Sequence, residues 1–226
     1  VTYEIIATGS RGNAVLLNGK YLFDCGVPYD TLKRYAKGLS LVFLTHIHSD
    51  HFWRHAIHKL HRNRPALLFV CARNLLVPLC TECDVDPNNV VLVTPGEPTE
   101  IHFGPESIRI NVFDLVHNVE NVGYAVEVIG GEAPGTALYA TDTRYIPVSA
   151  PGLDLYMVEN NYPNEEALQK RIAWKASQGR FFYEDKVAIS HMSGETVMKW
   201  LSENARPDSE VVFLHQHIEK EAEAVG

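Results

Sequence analysis

An α/β sandwich, two β-sheets packed face to face with helices on the outside (αββα), is the fold this chain predicts, and three observations carry the prediction. Short apolar runs of strand length fall into two groups, each followed by helical segments; such layers bury one face of each sheet in a shared core. One wholly apolar run, Leu41-Val42-Phe43-Leu44, leads straight into His46-Ile47-His48-Ser49-Asp50-His51, so polar side chains gather where a buried strand leaves its sheet. No repeat, low-complexity tract or linker divides the 226 residues, which suffice for one two-layer domain over 1–226.

The chain opens as a meander. Tyr3 to Ala7, Ala14 to Leu17 and Lys20 to Asp24 are short apolar runs, and Asn18-Gly19 between the last two marks a hairpin because both residues tolerate positive φ. Pro28 to Lys37 is expected to be helical, with Pro28 near the first turn. Trp53 to Arg62 has helical character, and His55, His58 and His61 with Lys59, Arg62 and Arg64 make a basic stripe, either a solvated face or a rim facing an anion. Strands are expected at Ala66 to Val70 and Val90 to Val93, separated by a helix around Arg73 to Leu79.

From Glu100 to Val158 the pattern is mostly strand: Glu100 to Phe103, Ser107 to Phe113, Gly123 to Ile129, Thr136 to Thr141 and Leu153 to Val158. Gly130-Gly131 and Pro134-Gly135 mark a loop between two of them. Helices follow at Glu165 to Ala176 and Glu195 to Asn204, the second with Ser193 as N-cap. Val211 to Leu214 is a last apolar run, ending at His215.

Composition narrows the function. Twenty Lys and Arg against 28 Asp and Glu leave a net charge of −8, which argues against a broad footprint on duplex nucleic acid. A small anion or a strand end fits better. No apolar stretch is long enough to span a bilayer and the N-terminus lacks a signal-peptide profile, so a cytoplasmic protein without membrane contact is expected. Of the four cysteines, Cys80 and Cys83 have C-x-x-C spacing without a second pair or a thioredoxin-like context, and are expected to be a reduced pair at a helix end.

The histidine cluster carries the chemistry. In extended chain past Thr45, side chains two apart share a side, so His46 and His48 converge on one ion, while Asp50 and His51, after a turn, can hold a second. Neutral imidazoles suit zinc, and the added carboxylate also accommodates manganese or iron.

This motif, H-x-H-x-D-H, resembles the ligand motif of the metallo-β-lactamase fold superfamily, in which a later His, a later Asp and a last His complete the set. Candidates stand in that order: His117 in Phe113-Asp114-Leu115-Val116-His117-Asn118, Asp142 in Leu138-Tyr139-Ala140-Thr141-Asp142-Thr143, and His215 after Val211-Val212-Phe213-Leu214. The resemblance implies an αββα sandwich of the metallo-β-lactamase type holding two Zn²⁺, with Mn²⁺ also admissible, Asp142 bridging the ions and Asp50 orienting the attacking water. Asp rather than Cys at 142, and His rather than Glu at 48, favour a two-metal hydrolase over a β-lactamase or a di-iron oxidoreductase.

A narrower likeness lies in Gly9-Ser10-Arg11-Gly12-Asn13, Ser49, Glu159-Asn160-Asn161-Tyr162 and Ser190-His191-Met192-Ser193. These are similar to a phosphodiesterase-like branch that includes exonuclease-like proteins with a GSxGN opening and the tRNA 3′-processing endonucleases (ribonuclease Z). The likeness implies His191 as proton donor, oriented by Glu159; whether His191 or His215 is the last ligand stays open at this level. Substrate contacts are expected at Arg11, Asn13, Trp53, Arg54 and Asn161, with Arg11 or Arg54 offsetting developing charge. The chain departs from the pattern at Phe52-Trp53-Arg54-His55, where relatives commonly have a Gly, and at Asn160, where they have Ala. A long basic exosite arm is not visible.

The expected activity is phosphodiester hydrolysis, with three substrate classes open: a small cyclic nucleotide, favoured by the acidic charge and a crowded mouth; a 5′ or 3′ nucleic-acid end; and a lactone or thioester. A homodimer is compatible with the chain.

Overall fold

The computed structural model describes residues 1–178, 187 and 189–216. In chain order the elements are β1 (Tyr3–Ala7), β2 (Ala14–Leu17), β3 (Tyr21–Phe23), α1 (Tyr29–Leu32), β4 (Leu41–Leu44), α2 (Arg54–Asn63), β5 (Leu68–Cys71), α3 (Leu76–Glu82), β6 (Val90–Leu92), β7 (Thr99–Phe103), β8 (Glu106–Leu115), β9 (Asn121–Ile129), β10 (Gly135–Ala140), β11 (Leu155–Glu159), α4 (Glu165–Ser177), α5 (Gly194–Asn204) and β12 (Glu210–Leu214). The described strands form two six-stranded sheets, in the orders β1-β2-β3-β4-β5-β6 and β12-β11-β10-β9-β8-β7. Each sheet is antiparallel on one side and parallel on the other: β3 to β6 are parallel, as are β10 to β12.

Period-2 alternation sorts the side chains into layers. Leu41 and Phe43 of β4, and Tyr139 and Met157 of β10 and β11, fill the space between the sheets. Their neighbours Val42 and Leu44 turn outward to meet Ala56, Ile57 and Leu60 of α2. On the far side Leu138, Tyr156 and Val158 meet Val197 and Leu201 of α5. Strands buried on both faces are apolar throughout, which is why β4 has no polar residue and the αββα prediction succeeds. Among the described residues, no helix is long and apolar enough to cross a membrane.

The Asn18-Gly19 hairpin forms with φ of 51° and 68°, and the Ser193 hydroxyl caps α5 by accepting the Thr196 N–H at 3.2 Å. The helix expected over Pro28 to Lys37 shrinks to the single turn of α1. Beyond it the Arg64 guanidinium donates to the carbonyls of Ala36 at 2.7 Å, Lys37, and Leu39 at 3.1 Å, a tertiary cap that replaces helical pairing. The helix expected around Arg73 begins as a 3-10 turn and becomes α3, with Pro78 in its first turn, where no N–H is needed.

Candidate metal centre

Except for His191, which precedes α5, every ligand-type residue sits at a strand end. Asp24 follows β3, His46 to His51 follow β4, His117 follows β8, Asp142 follows β10, Glu159 closes β11 and His215 follows β12. The parallel strands of the two sheets thereby bring distant segments to one edge of the sandwich.

Four donors form a first group: His46 Nε2 lies 3.1 Å from His48 Nδ1, which lies 3.3 Å from His117 Nε2, while Asp142 Oδ2 is 3.7 Å from His46 Nε2 and 3.9 Å from His117 Nε2. A tetrahedral ion with bonds of ~2.0–2.1 Å needs its ligand atoms about 3.3 Å apart. The group fits a divalent ion, since without one these nitrogens would face one another with few partners.

Asp142 turns its other oxygen to a second group. Oδ1 is 3.4 Å from His51 Nε2 and 3.1 Å from His215 Nδ1, and Asp50 Oδ2 is 3.7 Å from His51 Nε2. Asp50, His51 and Asp142 have ligand atoms within 4.8 Å of one another, as do Asp142, Glu159, His191 and His215. The Asp142 carboxylate thus turns its two oxygens to separate imidazole sets.

The backbone is bent to aim these groups. Asp24, Asp142 and His215 all take positive φ, of 59°, 52° and 50°, a conformation that disfavours side-chain-bearing residues and that clusters at functional sites. Asn121 Nδ2 donates to the Asp142 carbonyl at 2.7 Å, and the Thr143 N–H donates to Glu159 Oε2 at 2.8 Å. Gly26 is required by close approach: a Cβ there would lie 1.6 Å from the Asp50 carbonyl oxygen.

Asp24 is the hub that sequence reasoning missed. It is fully buried, and its Oδ1 accepts the Thr45 N–H at 3.0 Å and the Thr45 hydroxyl at 2.9 Å. Its Oδ2 accepts the Tyr139 hydroxyl at 2.9 Å and lies 2.7 Å from His51 Nδ1. A carboxylate only accepts, so Nδ1 carries a proton, which leaves Nε2, beside Asp142, as the His51 nitrogen able to ligate an ion. The signal available in the sequence was an acid placed directly after the apolar run Tyr21-Leu22-Phe23.

Burial and then the neighbouring His51 push His46 well below the usual histidine range, so it is neutral and ready to ligate. Burial likewise lowers His117, against the pull of Asp142. For His51 burial works downward too, but Asp142 and Asp24 outweigh it and hold it well above that range. Burial would raise Asp142; His51 and His215 override this and keep its carboxyl well below the ordinary carboxylate value.

Beside the second group, His191 Nδ1 lies 2.6 Å from Glu159 Oε1. Burial alone would lower His191, but the Glu159 carboxylate raises it. The same oxygen is 3.0 Å from His215 Nδ1. A cavity of about 200 Å³ opens over these residues, lined by Ser10, His48, Asp50, His117, Asn118, Asp142, Val187, Ser190, His191 and His215.

The family profile described as Beta-lactamase superfamily domain matches residues 20–216. The chain belongs to that superfamily. No curated protein matches it. Among solved structures, the metallo-beta-lactamase fold protein YhfI from Bacillus subtilis aligns with a TM-score of 0.62 at 20% identity, over 95% of this chain and 85% of its own. A long form RNase Z from yeast aligns at 0.60 and 12% identity, over 95% of this chain and 37% of its own. Unliganded yeast PDE1 aligns at 0.53 and 12%, over 84% and 61%. The chain thus spans less than two thirds of the last two, and at these identities the likeness is one of fold. Superfamily membership and two sheets with outer helices make this a metallo-β-lactamase fold, a family of metal-dependent hydrolases, with His and Asp groups able to hold divalent ions.

The expected substrate contacts fare differently. Asn13 and Asn161 face inward: Asn13 Nδ2 lies 2.8 Å from His51 Nε2, and Asn161 Nδ2 lies 3.3 Å from Glu159 Oε1 and from His215 Nδ1. They position ligand-type side chains and do not line the cavity. Arg54 is turned away, pairing with Glu82 of α3 and lying over the Phe52 ring. Trp53 is 38% exposed at the start of α2 and Arg11 is exposed on the β1–β2 loop; neither lines the cavity. Part of the basic stripe is spent on packing as well: His58 Nδ1 meets the Cys83 carbonyl at 3.2 Å, His61 Nε2 accepts the Asp86 N–H at 3.2 Å, and Lys59 lies over the Tyr29 ring, while His55 and Arg62 are exposed.

Proposed function

We propose that the protein is a two-metal phosphodiester hydrolase acting on nucleotides, with a small cyclic nucleotide as its favoured substrate. The observation that carries the reading is the placement of Asp142 between two imidazole sets, with His191 at the wall of the same cavity and Glu159 buried behind it. His46, His48, His117 and Asp142 would hold one ion; Asp50, His51, Asp142 and His215 would hold the other. Bound there, two divalent ions would supply Lewis acidity that lowers the pKa of water and offsets charge developing on a phosphate.

The chain's own residues do the rest. Asp50, half-buried at the cavity wall, orients the attacking water by accepting its hydrogen bond. His191, kept protonated by Glu159, gives its proton to the leaving oxygen, a step suited to an imidazole titrating near neutrality. Ser10 and Asn118 offer neutral hydrogen-bonding groups at the wall.

A small substrate is supported by three facts: the cavity is small, its described lining holds no Lys or Arg, and the whole chain carries −8. A long polyanion binds through many phosphate contacts and loses affinity steeply with salt. Turnover of zinc-loaded protein on cyclic mononucleotides, a 5′-phosphorylated single strand and a thioester, each at low and moderate salt, tests the reading. Cyclic nucleotides are expected to be hydrolysed at least as efficiently as the strand, with a shallow salt dependence. Preference for the strand with a steep salt slope would establish a nucleic-acid end instead, and activity confined to the thioester would refute phosphodiester chemistry.

A further inference from the structure

The loop joining β1 to β2 makes contacts that the reaction scheme above does not use. Among the described residues β12 is the edge strand of its sheet, so past Leu214 no described strand neighbours the backbone of His215 on its open side. His215 is nevertheless buried and holds a left-handed conformation. Its two peptide groups are clamped from outside the strand: its N–H donates to Thr8 Oγ1 at 2.7 Å, and its carbonyl accepts Asn161 Nδ2 at 3.2 Å. Thr8 opens the same loop that closes at Asn13, whose backbone N–H donates to the Asp50 carbonyl at 2.7 Å and whose side chain meets His51. One short loop thus touches Asp50, His51 and His215 together. Among the described contacts it touches none of His46, His48 and His117.

We propose that Thr8 is a positioning residue for the second ion: its hydroxyl pins the peptide of His215, and so sets the affinity of that ion separately from the first. The role rests on the two-ion reading above. A buried N–H demands an acceptor, and with Thr8 removed the ring of His215 would be free to leave Asp142 Oδ1 as its backbone relaxed. Because Thr8 itself is exposed, water would replace a deleted side chain. Valine is therefore the informative substitution, since it keeps the β-branched shape and places a methyl where the acceptor was. Residues that orient metal ligands are worth roughly 10–100-fold in affinity, and a surface position sits near the ~10-fold end.

The test is stepwise zinc binding by metal-stripped protein, measured by titration against a competing chelator without any assay of turnover. Thr8→Val is expected to keep the first binding constant and to weaken the second by ~10-fold, and Thr8→Ser, which retains the hydroxyl, is expected to restore it. An unchanged second constant, equal weakening of both, or failure of serine to restore binding overturns the proposal. A wild-type protein that binds one ion only removes the two-ion reading and the role of Thr8 with it, a result distinct from a two-ion wild type indifferent to Thr8→Val.

Discussion

Replacing Asp24 by Asn exchanges one oxygen for an amino group in a side chain that no solvent reaches. Four donors converge on its two oxygens: the Thr45 N–H and hydroxyl on Oδ1, the Tyr139 hydroxyl and His51 Nδ1 on Oδ2. An amino group cannot accept, so two of the four lose their acceptor whichever way the amide turns. A buried donor left unpaired costs ~1–3 kcal/mol; two of them, one of which is a hydroxyl free to rotate, amount to about 3 kcal/mol. In a chain of this length each kcal/mol moves the melting temperature by roughly 2–4 °C, so the metal-free variant should melt roughly 6–12 °C below the wild type. The same change releases the proton on His51 Nδ1, so Nε2 is no longer held as the nitrogen able to ligate an ion. Zinc titration should then show the second ion weakened by roughly 10–100-fold with the first retained. Thermal unfolding of the stripped protein and chelator-competed titration measure the two effects. A variant that melts with the wild type and binds both ions normally would refute the placement of Asp24 as the hub.

Five further outcomes are expected. His191→Ala should keep both ions and lower turnover by roughly 10²–10⁴-fold, less for a p-nitrophenyl ester, whose leaving group needs little protonation; loss of an ion would make His191 a ligand instead. Because Glu159 raises His191, the donor stays protonated up to that raised value; Glu159→Gln leaves burial to lower it, so the alkaline limb of the rate profile should move to lower pH, and an unmoved limb would count against the pair. His215, which burial would lower but Asp142 pushes up to about 9, is protonated at neutral pH in the metal-free protein. An ion must displace that proton and the one on His51, which is also raised, so second-site affinity should climb with pH through about 9, and a flat profile would exclude both as ligands. The raised value also stabilises the stripped fold below the ordinary histidine pKa of about 6.5, a contribution lost as pH rises through about 9. Arg54→Ala should change stability by ~0–1 kcal/mol and turnover not at all, because its pair with Glu82 is largely exposed; a large loss of turnover would return Arg54 to the site.

The αββα layers and the strand that carries His46 to His51 were legible in the sequence, because covalent adjacency and a period of two determine which side chains leave a strand end together; the later candidates His117, Asp142 and His215 came from the family resemblance. The fate of the basic side chains was not legible. Arg54, His58, His61 and Arg64 share a helix face that looks free in one dimension, and each finds a partner on α3, its flanking turn or the α1 segment only when those segments fold back. Asn13 and Asn161 were singled out for substrate, yet burial turns them toward His51 and His215.

The sequence by itself determined the strands and placed His46 to His51 at the end of a buried one, since these follow from local pattern. Tertiary structure alone decided that Asp142 divides its oxygens between two groups, that Asp24 of one sheet meets Tyr139 of the other, and that Thr8 meets His215 across 207 positions. Each of these depends on how two sheets face one another, and no local periodicity encodes the relative placement of surfaces that touch only after both have formed.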